Sequence, residues 1–209
     1  MLEQIKRFIP VYSAYNGAND TLFERASSLY LKKNDVIADI TWGKGVFWKK
    51  INQTNYKIYK SDIKTCPEKY DFRNLPYEDD FFNCVVFDPP YVHNPGNFMF
   101  NDNYQNNETT KAMYHKDIID LYQQGMKESK RILKENGTLF VKCQDEIETS
   151  KQKFSHIEIY DIATKELNFI AEDFFVLLNT KNPVVKNQNQ KHARKNHSYL
   201  WVFKKLAEN

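Results

Sequence analysis

Residues Val85-Val86-Phe87-Asp88-Pro89-Pro90-Tyr91 carry the most pointed chemistry in the chain. An apolar β-type stretch delivers a carboxylate, two consecutive prolines and an aromatic ring to the end of a strand. Neither proline has an N–H to continue a sheet ladder, and each fixes its own φ while restricting the residue before it. Asp88 and the neighbouring carbonyls should therefore stand rigid and unpaired beyond the sheet edge. Acceptors held this way beside an aromatic face suit a planar, electron-poor amine, such as the exocyclic NH2 of a nucleobase. Asp88, Pro89, Pro90 and Tyr91 form the candidate catalytic group. Taken alone, the string also fits a strand ending in a Pro-Pro turn that happens to contain Asp.

Residues about forty-five positions upstream separate the two readings. There Asp35-Val36-Ile37-Ala38-Asp39-Ile40-Thr41-Trp42-Gly43-Lys44-Gly45-Val46-Phe47 reads as a buried parallel strand over 36–41, a Gly-x-Gly turn, and a helix beginning near Val46. Glycine at 43 and 45 lets the backbone pass close to a ligand that a Cβ would strike. The fingerprint Gly-x-Gly-x-x-Gly is not met, because position 48 is Trp, which argues against a pyrophosphate on the helix N-terminus. Trp42 reads as a core aromatic pointing away from the turn, alongside Phe47 and Trp48. A second strand, Tyr56 to Ser61, leads to Asp62, where an acid can accept hydrogen bonds from ribose hydroxyls. Asp71 and Phe72 follow, just ahead of the strand that carries Asp88. Any one of these acids could be a solvated loop residue, the commonest fate of Asp. Four of them at the ends of successive strands fall where open α/β sheets bind ligands.

In their order and spacing, Asp39-x-x-x-Gly43-x-Gly45, Asp62, Asp71-Phe72 and Asp88-Pro89-Pro90-Tyr91 resemble the class I S-adenosylmethionine-dependent methyltransferases. The resemblance is specifically to the amino-methyltransferases of the Asp-Pro-Pro-Tyr type, which modify exocyclic nitrogens of nucleic-acid bases. It covers about residues 35 to 143 well and the remainder loosely. The Asp-Ile-Thr-Trp-Gly-Lys-Gly-Val-Phe-Trp turn looks like a form found in small phage and mobile-element methyltransferases. The resemblance implies S-adenosyl-L-methionine as cofactor. Asp39 and the glycine loop, with Thr41, would lie against its methionine part. Asp62 would hold the ribose diol, Asp71 and Phe72 would recognise the adenine, and Asp88 would complete the set. Asp88 and the Pro89 carbonyl would accept the two N–H groups of the target amine while Tyr91 stacks on the base. Asp in the first motif position leans towards adenine N6, so DNA adenine is ranked first as substrate. No large target-recognition domain, of the kind most such DNA enzymes carry, is expected within these residues. That keeps open an RNA base (guanine N2 or adenine N6), a partner subunit or homodimer, and a cofactor-binding subunit without activity of its own.

The chain must supply elements that position these residues. Its 209 residues suit one α/β domain, and 41% hydrophobic with 15% aromatic content predicts a full core. Residues 1–17 read as irregular. Helices are expected from Asp20 to about Lys33, from about His115 to Lys134 with Glu135-Asn136-Gly137 as the stop, and over about 151–168. Further strands are expected at 138–143, 173–179 and 198–205. Alternating β and α elements imply a doubly wound, mostly parallel sheet, with the last two strands antiparallel because no helix separates them. The methyltransferase resemblance likewise implies seven strands, one of them reversed. No apolar stretch is long enough to cross a bilayer and no signal-peptide core follows the N-terminus. Cys66, Cys84 and Cys143 read as buried free thiols of a reducing compartment, which points to the cytoplasm.

Two loops are expected to meet the substrate. Residues 92–114, directly after Tyr91, read as a lid. Residues 180–197 read as a basic loop with Lys181, Lys186, Lys191, Arg194, Lys195 and His197 as candidate phosphate contacts. From Phe174 to Ala207 there are seven Lys or Arg and no Asp or Glu, so a chain of net charge +3 places +7 here and −4 elsewhere. Such one-sidedness fits a surface that tracks phosphates, although a solvated lysine-rich loop is the plainer reading. His192 and His197 read as phosphate or backbone hydrogen-bonders, not metal ligands.

Overall fold

β-Branched and aromatic runs alternate with amphipathic helical ones, and the chain folds accordingly. The computed structural model describes residues 10–91, 114–179 and 190–207. In chain order its elements are β1 (Ala14–Gly17), α1 (Asn19–Tyr30), β2 (Val36–Asp39), β3 (Lys57–Lys60), β4 (Phe82–Phe87), α2 (His115–Ile132) and β5 (Leu133–Cys143). There follow β6 (Glu146–Glu148), β7 (Lys151–Lys153), α3 (Ser155–Asp161), β8 (Phe169–Asn179) and β9 (His197–Lys205). Seven strands form one sheet in the order β3-β2-β4-β5-β9-β8-β1, with β9 antiparallel to both neighbours and every other pairing parallel. The expected doubly wound sheet with one reversed strand is what the chain forms.

β4 is buried on both faces, as a central parallel strand must be. Cys84 and Val86 join Phe23, Ile37, Trp48, Phe140 and Val202 under α1, while Val85 and Phe87 join Ile118, Tyr122, Met126 and Leu139 under α2. This period-two alternation carries the chain straight to Asp88 at the sheet's C-terminal edge. Gly125 of α2 makes room for Phe87, because a Cβ there would stand 2.3 Å from Phe87 Cζ. Gly125→Val should destabilise the fold by about 1–3 kcal/mol through overpacking. A lowered urea midpoint at unchanged m-value would show it; a midpoint equal to the parent's would mean the Phe87 ring has slack.

Several elements differ from expectation. Residues 14–17 are not irregular: they form β1, paired in parallel with β8 through Ala14↔Val176 to Gly17↔Asn179. No α-helix follows the glycine turn; a 3-10 turn, Val46–Trp48, takes its place because Phe47 and Trp48 are both drawn into the core, and a second, Gln53–Asn55, precedes β3. α1 starts after Ala18; Asp20 lies inside its first turn and accepts from the Thr21 N–H at 2.6 Å. Residues 151–168 do not make one helix. A β6–β7 hairpin occupies the start, and α3 passes into a π-turn, Ile162–Glu166. α2 stops at Ile132, and residues 134–137 form an excursion in β5 between Leu133 and Thr138, with Asn136 at φ 59°. All three cysteines are free and buried, as read. No helix among the described residues is long and apolar enough to cross a membrane. The lid segment lies outside the described residues apart from Tyr114, as do Lys181 and Lys186.

Candidate active site and its relatives

The chain turns sharply where β2 ends. Thr41 N–H donates to Asp39 Oδ1 at 3.2 Å, and Trp48 Nε1–H donates to Asp39 Oδ2 at 2.7 Å. Thr41 Oγ1 in turn accepts the Asp88 N–H at 2.6 Å, fastening the end of β4 to the turn after β2. Asp62, just past β3, accepts the Gly43 N–H at 3.2 Å and the Lys64 and Thr65 N–H groups at 2.8 Å each. Three strand ends are thus joined into one rigid edge. Between them lies a cavity of about 660 Å³ lined by 39–44, 46–47, 62–65, 71–72 and 88–91. Every candidate catalytic residue, and every candidate cofactor residue except Gly45, lines it.

The glycines serve two different ends. Gly43, at φ 54°, has only the Thr41 carbonyl within 4 Å of where its Cβ would be, so the cavity side stays open. Gly45, at φ 63°, would place a Cβ 2.6 Å from Trp42 Cζ2, so it is required by an indole of the protein itself. That indole does not point away from the turn. Trp42 lines the cavity, stacks on Trp48 with 6.3 Å between centroids, and carries the Lys60 ammonium 4.2 Å above its ring.

The cavity floor is acidic. Burial pushes Asp39 up to about 7, with Asp88 and Asp62 adding to it against the donors Trp48 and Thr41. Burial pushes Asp88 up to about 6, opposed by Lys142. Asp88 is only partly covered as a residue, yet its Oδ1 is inaccessible and has no hydrogen-bond partner among the described residues. Such an orphaned acceptor is costly in a folded chain and points to a missing donor or cation. A cationic sulfonium and an amine N–H are groups of the right charge and polarity for this floor.

Asp71 lines the cavity beside Phe72 with its carboxylate paired within the protein. Its carboxylate accepts from the Arg73 guanidinium and the Arg73 N–H, and although burial acts to raise it, this pairing holds it below the usual carboxylate range. It lines the cavity already saturated, whereas Phe72 offers the apolar face beside it, packed edge-on to Phe87 at 5.1 Å. Of the basic stretch, Lys204 pairs with Glu172, and Lys205 is buried with its ammonium on Asp80 and the carbonyls of Lys130 and Leu133. Two of its seven charges are therefore spent at the opposite sheet edge. Lys191 and Arg194 are exposed and Lys195 half-buried, none with an ion pair among the described residues. The His197 imidazole bonds the Tyr199 hydroxyl at 2.8 Å, at the sheet edge where Asp88 sits.

The sequence reading missed Lys142. It lies in β5 with its side chain inside the fold, 1% exposed, and its ammonium 5.5 Å from the centroid of the Tyr91 ring. A lone Lys within Leu139-Phe140-Val141-Lys142-Cys143 was the available signal. It also missed Trp48 as the partner of Asp39.

A Rossmann-like sheet whose glycine turn and strand-end acids line one cavity is the frame of a methyltransferase whose cofactor is S-adenosylmethionine. A family model of N6/N4 type, described as DNA methylase, matches residues 82–209, more than half the chain and inclusive of Asp88 to Tyr91. The chain belongs to that DNA methylase family. No curated protein matches it in sequence. Among solved structures, an S-adenosylmethionine-dependent methyltransferase of Methanosarcina mazei is similar with TM-score 0.54 and 14% identity, over 88% of this chain and 98% of that one. The PH0226 protein of Pyrococcus horikoshii matches with TM-score 0.53 and 18% identity, over 88% and 87%. The 1,6-didemethyltoxoflavin-N1-methyltransferase of Burkholderia thailandensis matches with TM-score 0.55 and 11% identity, over 91% and 79%. At such identities these likenesses speak for the fold alone.

Proposed function

We propose that the protein moves a methyl group from S-adenosylmethionine to an exocyclic amino nitrogen of a nucleic-acid base, with adenine N6 in DNA as the first-ranked target. The observation that carries this is the inaccessible, unpartnered Asp88 oxygen at the end of a strand bound to the glycine turn. The cofactor supplies an electrophilic methyl on a positive sulfur. Asp39, Thr41, Gly43 and Asp62 shape its berth, with Phe72 as the apolar contact.

The exocyclic nitrogen is a poor nucleophile because its lone pair is delocalised into the ring. Asp88 and the Pro89 carbonyl accept its two N–H bonds, which favours pyramidal nitrogen and frees the lone pair. As positive charge develops there, the Asp88 carboxylate stabilises it more than it stabilised the starting amine. Pro89 and Pro90 keep these acceptors from being drawn into a ladder, and Tyr91 stacks on the base. In duplex DNA the base must be flipped out, at a cost of a few kcal/mol that stacking and hydrogen bonds help offset. Lys191, Arg194 and Lys195, together with Lys181 and Lys186, supply the phosphate-facing charge.

Labelled methyl should enter DNA and appear as N6-methyladenine on nucleoside analysis. Label in N4-methylcytosine would keep the chemistry and change the base. Label confined to RNA would move the substrate class, and label in no nucleic acid would end the proposal.

A further inference from the structure

We propose that Lys142 is a positioning residue of this methyl transfer: from the neighbouring strand its ammonium serves as the counter-charge of Asp88 and as the seat of the Tyr91 ring. This rests on the function proposed above. β4 and β5 pair in parallel with Phe87 opposite Val141, so the next step along both strands sets Asp88 beside Lys142. Lysine is almost never fully buried unless paired, since an ammonium taken out of water needs an opposite charge close by. Yet Lys142 is 1% exposed in an otherwise apolar run.

The groups around it leave one candidate for that opposite charge. Its strand neighbour Cys143 is buried, and burial pushes its thiol up, so it stays neutral. Tyr122 of α2 donates its hydroxyl to the Lys142 carbonyl at 2.7 Å, not to the ammonium. Tyr91 presents the face of its ring to the ammonium. Asp39 of β2 is raised in part by Asp88 across the cavity, and Asp145 acts on Cys143. Asp88 is the carboxylate that acts on Lys142 itself, opposing the fall that burial imposes on the lysine.

The consequence for chemistry is direct. Asp88 stabilises the developing ammonium by its negative charge only as a carboxylate. Burial drives it towards the neutral acid, and Lys142 opposes that drive. On its other side, the same ammonium attracts the π-face of Tyr91 and so fixes the plane against which a base would stack.

The test compares the parent with Lys142→Met and Lys142→Arg in full-length protein. The acidic limb of the kcat/KM profile for methyl transfer should move to higher pH in Lys142→Met by at least one pH unit. That is roughly a tenfold rate loss on the limb, recovered at alkaline pH, and Lys142→Arg should return the limb towards the parent. The 13Cγ resonance of Asp88, assigned by its disappearance in Asp88→Asn, should titrate at higher pH in Lys142→Met. A uniform loss across the pH range with an unmoved carboxylate titration would reduce Lys142 to a packing residue and overturn the inference. If the parent methylates no nucleic acid, the functional reading fails instead, and the carboxylate titration still decides whether Lys142 controls Asp88.

Discussion

Asp88→Ala should lower methyl transfer by on the order of a hundred- to a thousandfold or more, the loss typical when one preorganised electrostatic group is removed. S-adenosylmethionine affinity should remain largely intact, because the backbone bond from Asp88 N–H to Thr41 survives the substitution. Two opposed effects act on stability: the variant no longer buries an ionisable carboxyl, but it leaves the buried Lys142 ammonium without its counter-charge. Asp88 Oδ1 makes no hydrogen bond among the described residues, and ionising this buried group costs the fold free energy. The sign follows from the raised folded value of about 6. Between the unfolded pKa of about 4 and pH 6 the native state holds a proton that the unfolded state has released, so stability falls as pH rises through this window. The alanine variant lacks this loss, so its stability relative to the parent should be higher at pH 8 than at pH 5. Single-turnover transfer, calorimetry with the cofactor and urea melts at pH 5 and 8 together test this. Near-normal turnover on a competent substrate would remove Asp88 from the mechanism.

Trp48→Phe should be the most damaging single change at the cofactor edge. The indole is fully buried and donates to Asp39 Oδ2 at 2.7 Å. Phenylalanine would leave that oxygen without its donor and open a void beside Phe23 and Trp42. The lost donor costs roughly 1–3 kcal/mol, more when the orphaned group is charged, and the void adds to this. A second signature identifies the cause. Asp39 is held up to about 7 mainly by burial, and Trp48 is one of the groups pulling it down. Without the indole its pKa should climb further, so the ionised form is the one that suffers. The destabilisation of Trp48→Phe should accordingly be modest at pH 5, where Asp39 is protonated in both proteins, and clearly larger at pH 8.5. Equal losses at both pH values would mean that the indole matters to packing and not to the carboxylate.

Long apolar strands were readable from the sequence because β-branched and aromatic residues between turn signals have few other uses. β1 was not. Ala-Tyr-Asn-Gly has no apolar alternation, and it is a strand only because the edge of β8 is there to pair with it. The helix expected after the glycines shrank to one 3-10 turn for a related reason, since burial of two adjacent aromatics outweighed helical continuation. The basic stretch shows the limit of counting charge along a chain. Lys204 and Lys205 sit in the same run as Lys191 and Arg194, yet strand β9 carries them to the far edge of the sheet, where Lys205 holds Asp80 and two carbonyls.

The site divides in the same way. Local covalent geometry determined that Asp88 would leave the ladder, since Pro89 and Pro90 carry that instruction in their rings, and that the backbone would turn at Gly43 and Gly45. The order of acids at strand ends followed from the βα alternation. Only the folded chain decided which groups stand beside those acids. Arg73 on Asp71, the Trp48 indole on Asp39, and Lys142 opposite Asp88 under Tyr91 all depend on strand register or side-chain packing. A pairing shift of one residue would turn Lys142 to the other face of the sheet. Spacing along a sequence carries no record of that choice, because the choice is made by the burial of Val85 and Phe87 on one face and Cys84 and Val86 on the other.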